Sequence, residues 1–347
     1  MKRIYITVDV ECHDIDLVNN YIWGRVGDQE YGLRCILEQG KKHNIPINFF
    51  FDMCEAKRYG DDYAKSIINA IEEYSQPIYL HLHPNYLSGD DSRSFLWQYS
   101  YEEQYKLLQE GFAQYYELMQ TDECKAFRVG RYGASAEMYT ALDNLGVRLV
   151  DLSYGYKNEK MCHLTYDEVK TVNAPVMYQS QVVLPNTRFV CFDYFGKQKT
   201  LNTDIHEAQL QELKDVLRKS SDEDIVFTIH SWHFINRYFF KKGISGDKKG
   251  IKKFDKLIKY CKKQGYTFCD VGNENIRERV QTKEPETNAI NNCKSFTEKI
   301  KSFFYNFARF QEMGKINKKY FKIFSLFYGG VALLAVTIIG LLLWMLL

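Results

Sequence analysis

The sequence lacks most of the short motifs by which enzymes and metal proteins are recognised. Its 347 residues contain no C-x-x-C pair, no G-x-G-x-x-G or phosphate-loop pattern, no H-E-x-x-H and no G-x-S-x-G. These absences argue against ribbon-type zinc, dithiol redox, nucleotide-loop, zincin and serine-hydrolase sites. Lys and Arg number 46 against 44 Asp and Glu, so the basic excess of nucleic-acid-binding domains is absent as well, and no nucleic-acid partner is expected.

Disulfide and secretion signals are also missing. The nine cysteines are irregularly spaced and odd in number, which is typical of reduced thiols and not of a secreted disulfide framework. The N-terminal residues contain no apolar run of the length that a secretory signal needs. Both features favour a cytoplasmic location for the N-terminal part of the chain.

One long hydrophobic run is present, at residues 324–347, where no charged side chain occurs. A helix of that length spans roughly 36 Å, enough for a hydrocarbon layer of about 30 Å. Basic residues precede the run, and the positive-inside rule then keeps the N-terminal head in the cytoplasm. We expect a single-pass, C-terminal tail anchor. The preceding basic residues are Arg309, Lys315, Lys318, Lys319 and Lys322.

The composition changes twice between the body and this predicted transmembrane helix. Residues 281–292 are polar and typical of a linker. Residues 293–323 place aromatic and aliphatic side chains at helical spacing among lysines, which favours a basic amphipathic juxtamembrane helix on the membrane surface. The alternative is a helix packed on the body. The body itself is expected to be a single domain over residues 1–280.

Short β-rich runs alternate with helical patterns along the body. This alternation predicts parallel strands with helices outside them. Seven such units favour an α/β fold of the (β/α)7 barrel kind over an open sheet, with residues 172–195 left over as a hairpin or lid. The predicted strands are 3–9, 45–51, 78–83, 125–129, 147–152, 224–230 and 266–271, and the predicted helices are 31–43, 62–74, 101–119, 134–145, 207–218 and 251–264.

Ionisable residues stand at the ends of the predicted strands, where the reactive groups of βα barrels gather. Asp9 and Glu11 share a strand face, so one carboxylate can bind a metal while the other acts as a base. The alternative is an exposed strand-end pair. His81 and His83 also share a face and, with a carboxylate, can form an N,N,O site for Zn²⁺ or a similar ion. The alternative is that one of the two histidines lies in the core and the other is exposed.

Two further strand ends carry Arg128, within residues 127–133 (FRVGRYG), and His230. An arginine there can hold a carboxylate in one orientation, although an ordinary salt bridge would look the same in sequence. A histidine there can donate a proton to a leaving group. Neighbouring glycine, aromatic and acidic residues are candidates for substrate binding. These candidates are Gly130, Tyr132, Asp151 and Trp232.

In their order along the chain, these residues resemble the polysaccharide deacetylase family, the NodB-homology domain of carbohydrate esterase family 4. The resemblance covers roughly residues 1–275. It rests on residues 7–11 (TVDVE), 81–84 (HLHP), 127–130 (FRVG) and 229–230 (IH). It implies a distorted (β/α)7 barrel and a metal-dependent hydrolase that removes acetyl groups from N-acetylated sugars.

The resemblance also implies a role for each matched residue. Asp9 looks like the general base, and Glu11 looks like the metal-binding carboxylate. His81 looks like a metal ligand. Arg128 looks like the residue that orients the base, and His230 looks like the acid that protonates the departing amine.

The sequence departs from the family pattern in three places. The first motif usually has two Asp, whereas Glu11 stands at the metal position. The second motif usually spaces its histidines four residues apart, but Asn85 occupies that position and His83 is the second histidine. The third motif usually has Pro where Gly130 stands. The metal site, for which Zn²⁺ is the expected ion, is therefore either rebuilt with His83 or weakened.

Three functions remain open from the sequence. The first is a deacetylase at the cytoplasmic membrane face that acts on a lipid-linked or nucleotide-linked glycan intermediate. The second is a hydrolase of another small amide on the same scaffold. The third is a non-catalytic, membrane-anchored barrel that binds a glycan or a partner. Asp9, Arg128 and His230 together favour an enzyme, because binding alone does not need a base, its orienter and an acid.

Overall fold

The structure is a computed structural model that describes residues 1–158, 160–194, 197–238, 241–273, 275–281, 289–319 and 322. Its strands are β1 (Arg3–Val10), β2 (Arg25–Val26), β3 (Gln29–Glu30), β4 (Asn48–Asp52), β5 (Ile78–Leu82), β6 (Ala126–Val129), β7 (Val150–Asp151), β8 (Val176–Tyr178), β9 (Gln181–Val183), β10 (Arg188–Tyr194), β11 (Lys197–Asn202), β12 (Asp224–His230), β13 (Ile235–Asn236), β14 (Ser245–Gly246), β15 (Thr267–Phe268) and β16 (Ile290–Asn291). Its α-helices are α1 (Leu33–His43), α2 (Ala56–Tyr59), α3 (Asp61–Glu72), α4 (Pro84–Ser88), α5 (Tyr101–Met119), α6 (Ala136–Asn144), α7 (Tyr166–Val169), α8 (Leu210–Lys219), α9 (Lys248–Lys263), α10 (Ile276–Gln281) and α11 (Phe296–Ile316).

A curled sheet of nine strands forms the centre of the body. Its order is β12-β1-β4-β5-β6-β7-β9-β8, and β15 also pairs with β1. All pairings are parallel except that between β8 and β9. The seven predicted strands correspond to β1, β4, β5, β6, β7, β12 and β15, so the alternation of strands and helices is confirmed.

The expected distorted barrel takes the form of a curled half-barrel, in which the described strands leave the sheet open. The β8–β9 hairpin, which lies within the predicted insertion, caps one edge in the antiparallel sense. The other edge, β12, is bonded by an irregular segment: Ile205 N donates to Thr228 O at 2.9 Å, and Thr228 N donates to Thr203 O at 3.2 Å. The two outer strands of the sheet are therefore hydrogen-bonded to other segments and not to each other. The sheet is a curled half-barrel.

Apolar residues on both faces of this sheet hold the fold together. The burial pattern of β1 is almost continuous, as expected for a parallel strand covered on both sides. Along one side of β1 the pairing strand changes from β15 to β4. A side chain of β4 forms hydrogen bonds across this point. Asn48 Nδ2 donates to the carbonyl oxygens of Ile6 and Cys269, each at 3.1 Å. This bridge links β4 to β1 and to the residue that follows β15.

The C-terminal part of the described chain packs on the body. β16 falls inside the predicted linker and pairs with β10, so contacts with the body continue past residue 280. α11 begins at its capping residue Ser295. Ser302 Oγ donates to Cys191 O, and Arg309 forms a buried ion pair with Glu212. The described contacts therefore agree with the alternative of a helix packed on the body. Large side chains on the opposite face stay exposed: Phe296, Ile300, Phe303 and Phe304.

The predicted membrane segment is not part of this description. Among the described residues, no helix combines the length and the hydropathy needed to cross a bilayer. The predicted span at residues 324–347 lies outside the described residues, as do residues 282–288 of the predicted linker. All nine cysteines are buried and free, in agreement with the expected reduced thiols.

Candidate active site

Glu11, His81 and His83 converge at the end of the sheet to which the parallel strands point. His83 Nε2 lies 2.5 Å from Glu11 Oε2, and His81 Nε2 lies 3.6 Å from the same oxygen. All three side chains are buried. Neither Glu11 Oε2 nor His83 Nε2 has a hydrogen-bond partner among the described residues. Buried polar atoms are normally paired, so donors that converge without hydrogen-bond geometry fit a shared metal ion.

The orientation of His81 supports the same interpretation. Its Nδ1 donates to the backbone carbonyl of Arg128 at 2.8 Å. Since a carbonyl oxygen only accepts, Nδ1 carries a proton, and Nε2 is the ring nitrogen that faces Glu11. A ligand histidine is typically held in this way by a second hydrogen bond.

Electrostatics also favour a charged carboxylate in this cluster. Burial opposes ionisation of Glu11, but the neighbouring His83 and His81 outweigh burial and hold the pKa of the carboxyl well below its usual range. Burial likewise opposes the charge on His81, yet Glu11, Asp9 and Asp52 around it raise its pKa to about 9. The cluster therefore attracts positive charge, which a divalent ion can supply.

Two departures from the family pattern turn out to be one structural change. Asn85 is engaged outside the cluster, where its Nδ2 donates to Asp91 Oδ1 at 3.0 Å. His83 takes its place, with its ring beside Gly130. A Cβ on Gly130 would lie 2.6 Å from that ring. The glycine at the position of the family's proline thus makes room for the relocated histidine, and the rebuilt site is the alternative that the geometry supports.

Arg128 holds Asp9 beside this cluster. Its guanidinium is buried, donates through Nη1 to Asp9 Oδ1, and lies 4.6 Å from the ring centre of Phe50. Its Nη2 donates to Thr7 Oγ1 at 2.9 Å and to Asn186 Oδ1 at 3.2 Å. A guanidinium has five N–H donors in a fixed plane, so it can hold several acceptors at once. One oxygen of Asp9 is thereby fixed, and Oδ2 is left toward the site.

His230 lies on the solvent-facing side of the site. Its Nε2 lies 3.9 Å from Asp9 Oδ2 and 3.8 Å from Glu11 Oε1, and its side chain is 24% exposed. Its Nδ1 has no hydrogen-bond partner among the described residues. His233 Nδ1 accepts from the backbone N of His230 at 3.2 Å and lies 3.8 Å from Asp204 Oδ1. His230, His233 and Asp204 thus form a second group of potential metal donors.

The predicted substrate-binding residues divide into two sets. Gly130 is buried against His83, while Tyr132 and Trp232 are half-buried near the site. Asp151 requires a correction, because it is fully buried and its carboxylate accepts from Tyr139 and from Ser153. These bonds leave Asp151 no surface for a substrate, so its role is structural.

The sequence reasoning missed the residues that line the opening. His13 Nε2 lies 3.8 Å from Glu11 Oε1, and the His13 ring lies 5.6 Å from the ring of Trp232. Tyr21 packs edge-on against Trp232 at 5.4 Å, under the guanidinium of Arg237. His13 continues the period-two spacing of Asp9 and Glu11, so its position could have been predicted. Tyr21 and Asn186 carry no such signal, because tertiary contacts alone bring them to the site.

Comparisons with known proteins agree with the fold. No model of a known protein family and no curated protein sequence matches the chain. A proposed polysaccharide deacetylase from Mycobacterium smegmatis matches with a TM-score of 0.51 and 14% identity, over 83% of this chain and 93% of that one. An allantoinase matches with a TM-score of 0.49 and 14% identity, over 82% of this chain and 92% of that one. A carbohydrate esterase family 4 pseudoenzyme from Bacillus anthracis matches with a TM-score of 0.41 and 16% identity, over 77% and 63%.

The first of these matches carries the structural conclusion. It extends over most of both chains. The chain therefore has the fold of the polysaccharide deacetylases, as the resemblance of its motifs predicted.

Proposed function

We propose that this protein is a metal-dependent hydrolase that removes an N-acetyl or related acyl group from a sugar. The observation that carries the proposal is the placement of Asp9. It is buried, oriented by Arg128, adjacent to Glu11 and within 3.9 Å of His230. A base, its orienter, a set of metal donors and an acid in one pocket match the requirements of amide hydrolysis.

The donor set fits a divalent ion such as Zn²⁺. Glu11, His81 and His83 offer one oxygen and two nitrogens, and the partly exposed His230 lies 3.8 Å from Glu11 Oε1. When bound there, the ion would polarise an amide carbonyl and bring the pKa of a water toward about 7.

The remaining steps are proton transfers by this chain's own residues. Asp9 Oδ2 accepts the proton of the attacking water, because Oδ1 is occupied by Arg128. His230 Nε2 donates a proton to the nitrogen of the departing amine, on the exposed side of the site. The C–N bond breaks, and the products are a carboxylate and the free amino sugar.

The sugar itself would lie in the opening formed by aromatic side chains. Trp232 and Tyr21 are half-buried, and each presents part of its ring at the rim. Aromatic faces of this kind pack against the apolar C–H surfaces of sugar rings. His13 stands between this rim and Glu11.

The same proposal includes the location of the protein. The charge-free residues 324–347 and the basic residues before them support a membrane anchor that follows the head, with the head in the cytoplasm. Buried free thiols support the same compartment. A head in that position has access to lipid-linked and nucleotide-linked glycan intermediates.

Metal content and acetate release test the proposal together. The full chain in detergent is assayed by elemental mass spectrometry and with nucleotide-linked and lipid-linked N-acetylhexosamines. We expect near one divalent ion per chain, lost in His81→Ala, and acetate release that disappears in Asp9→Asn. An absence of bound metal after incubation with excess Zn²⁺ would reject the hydrolase and favour a glycan-binding barrel.

A further inference from the structure

The direction of the strands defines two edges of the sheet. Because the strands are parallel, Asp9 and His230 pair where β1 and β12 end. We name this side of the sheet, where the parallel strands end, the carboxyl edge; it is distinct from the outer strands β8 and β12. Arg3 and Asp224 pair at the other end, the amino edge. The candidate active site lies wholly at the carboxyl edge.

Helix α8 runs from the carboxyl edge to the amino edge. Asp204, which precedes it, lies 3.8 Å from His233 near the active site. Glu223, which follows it, accepts from the backbone N of Arg3 at 2.6 Å. The first turn of α8 is therefore the turn nearer the active site, and its last turn is nearer the amino edge.

Helix α11 runs in the opposite direction, toward the active-site side. Glu298 in its first turn pairs with Lys219 in the last turn of α8 at 2.8 Å. Arg309, three turns later, pairs with Glu212 in the first turn of α8. Two ion pairs at opposite ends of α8 fix this antiparallel arrangement. α11 thus carries the chain toward the carboxyl edge.

Basic side chains lie at the C-terminal end of α11, which points toward the carboxyl edge. From Arg309 the helix continues to Ile316, a rise of roughly 10 Å. The lysines that follow are exposed, and the charge-free residues 324–347 come directly after them in sequence. Basic side chains near a bilayer are attracted to anionic lipid headgroups. The lysines are Lys315, Lys318, Lys319 and Lys322.

We propose that the carboxyl edge of the sheet faces the membrane, so that the active site meets its sugar at the level of the lipid headgroups. This inference rests on the proposed function and narrows it to a lipid-linked glycan. A soluble, nucleotide-linked substrate would not require the chain to leave the body on the active-site side.

The exposed apolar face of α11 offers a different arrangement. Phe296, Ile300, Phe303 and Phe304 lie in the half of the helix nearer the amino edge. If that face lay on the membrane, the strands would run along the bilayer surface instead of toward it. The two arrangements place the ends of one strand at different distances from the lipid, which an experiment can measure.

Labels at the two ends of β6 measure this orientation without any enzymatic assay. Arg131→Cys stands just after the strand and Lys125→Cys just before it, and the four strand residues between them span roughly 13 Å. Both positions are exposed, whereas all nine native cysteines are buried, so a dye attaches selectively. The full chain is placed in phosphatidylcholine vesicles that contain phosphatidylglycerol and an acceptor-labelled lipid. We expect stronger energy transfer from position 131, and equal or weaker transfer from it would overturn the proposal.

A second experiment tests the consequence for the substrate. A rigid helical insertion of about fourteen residues after Asn317 would lift the head by ~21 Å. Hydrolysis of a lipid-linked N-acetyl sugar in vesicles should fall at least about tenfold, because the reacting groups are displaced from the substrate, while a nucleotide-linked sugar is cleaved as before. A flexible Gly/Ser insertion of equal length is the control and should retain most of the activity on the lipid-linked sugar.

Unchanged hydrolysis of the lipid-linked sugar after the rigid insertion would contradict the membrane-facing site. If the unaltered protein hydrolyses neither substrate, the proposed function fails. The label measurement still decides the orientation in that case.

Discussion

The ring of His83 occupies the space that a side chain at Gly130 would need, with only 2.6 Å between the ring and an added Cβ. The histidine comes from the end of β5 and the glycine from the end of β6, neighbouring strands of the sheet. The two positions are therefore coupled, and a substitution at either should change the affinity of the candidate metal site.

This relationship predicts the effect of Gly130→Ala. The added methyl displaces the His83 ring from Glu11, and we expect metal affinity to fall by about 10–100-fold, the range for losing the support of a ligand. A titration with Zn²⁺ against a competing chelator measures it. Gly155→Ala is the control, because its Cβ would meet its nearest atom at 3.6 Å, an ordinary contact. Equal affinity in both variants would contradict the coupling.

His83, and not Asn85, should complete the donor set. His83→Ala is expected to weaken metal binding by at least ~100-fold, more than an outer-shell change costs. Asn85→Ala should leave the metal content unchanged, because Asn85 is engaged with Asp91. Elemental analysis of both purified variants after the same dialysis distinguishes the positions, and the reverse pattern would return the second ligand to position 85.

Asp9→Asn should separate catalysis from metal binding. The amide can still accept from Arg128, so the fold and the donor set persist, but the base is lost. We expect acetate release to fall by about 10²–10⁴-fold, the usual contribution of a positioned base, with an unchanged metal content. Activity near that of the unaltered protein would assign proton removal to another group.

The buried pair of Arg309 and Glu212 should decide whether α11 stays on the body. Arg309→Met leaves a carboxylate that is 2% exposed without its bidentate partner, a change that costs about 3–5 kcal/mol in buried sites. Hydrogen exchange of residues 296–316 should accelerate accordingly. Lys315→Met removes an exposed pair with Glu312 and should have almost no effect. Slow exchange in Arg309→Met would show that other contacts hold the helix.

Asp151 should make stability depend on pH. Burial raises its pKa to about 6 despite bonds from Ser153 and Tyr139, whereas an unfolded Asp titrates near 3.9. The folded state holds the proton more tightly, so the contribution of Asp151 to stability is present below about pH 4 and is lost as the pH rises through 6.

Asp151→Asn removes this dependence. Its free energy of unfolding, relative to the unaltered protein, should rise between about pH 4 and pH 7 and then level off. Urea unfolding with a chelator present measures the difference and keeps metal binding out of it. A constant difference across this range would mean that Asp151 is already charged in the folded protein at low pH.

Much of the site was accessible from sequence because it depends on local spacing. Asp9 with Glu11, and His81 with His83, lie two residues apart at strand ends, and strand geometry alone puts each pair on one face. Parallel order then brings the ends together. The same rule would have included His13. It failed at Asp151, since a strand-end carboxylate can be turned inward by a tyrosine and a serine whose positions only the folded chain defines.

The sequence by itself determined the alternation of strands and helices, the edge at which the ionisable groups gather and the residues that are candidates for the base, its orienter and the metal donors. These follow from periodicity and from the order of the motifs. Tertiary structure alone decided which segments bond the two outer strands of the half-barrel, that Gly130 makes room for His83, and that α11 packs on the body and runs toward the active-site side. Such features depend on contacts between residues far apart in the chain, such as Arg309 with Glu212, and no local pattern encodes which distant partner a side chain will meet.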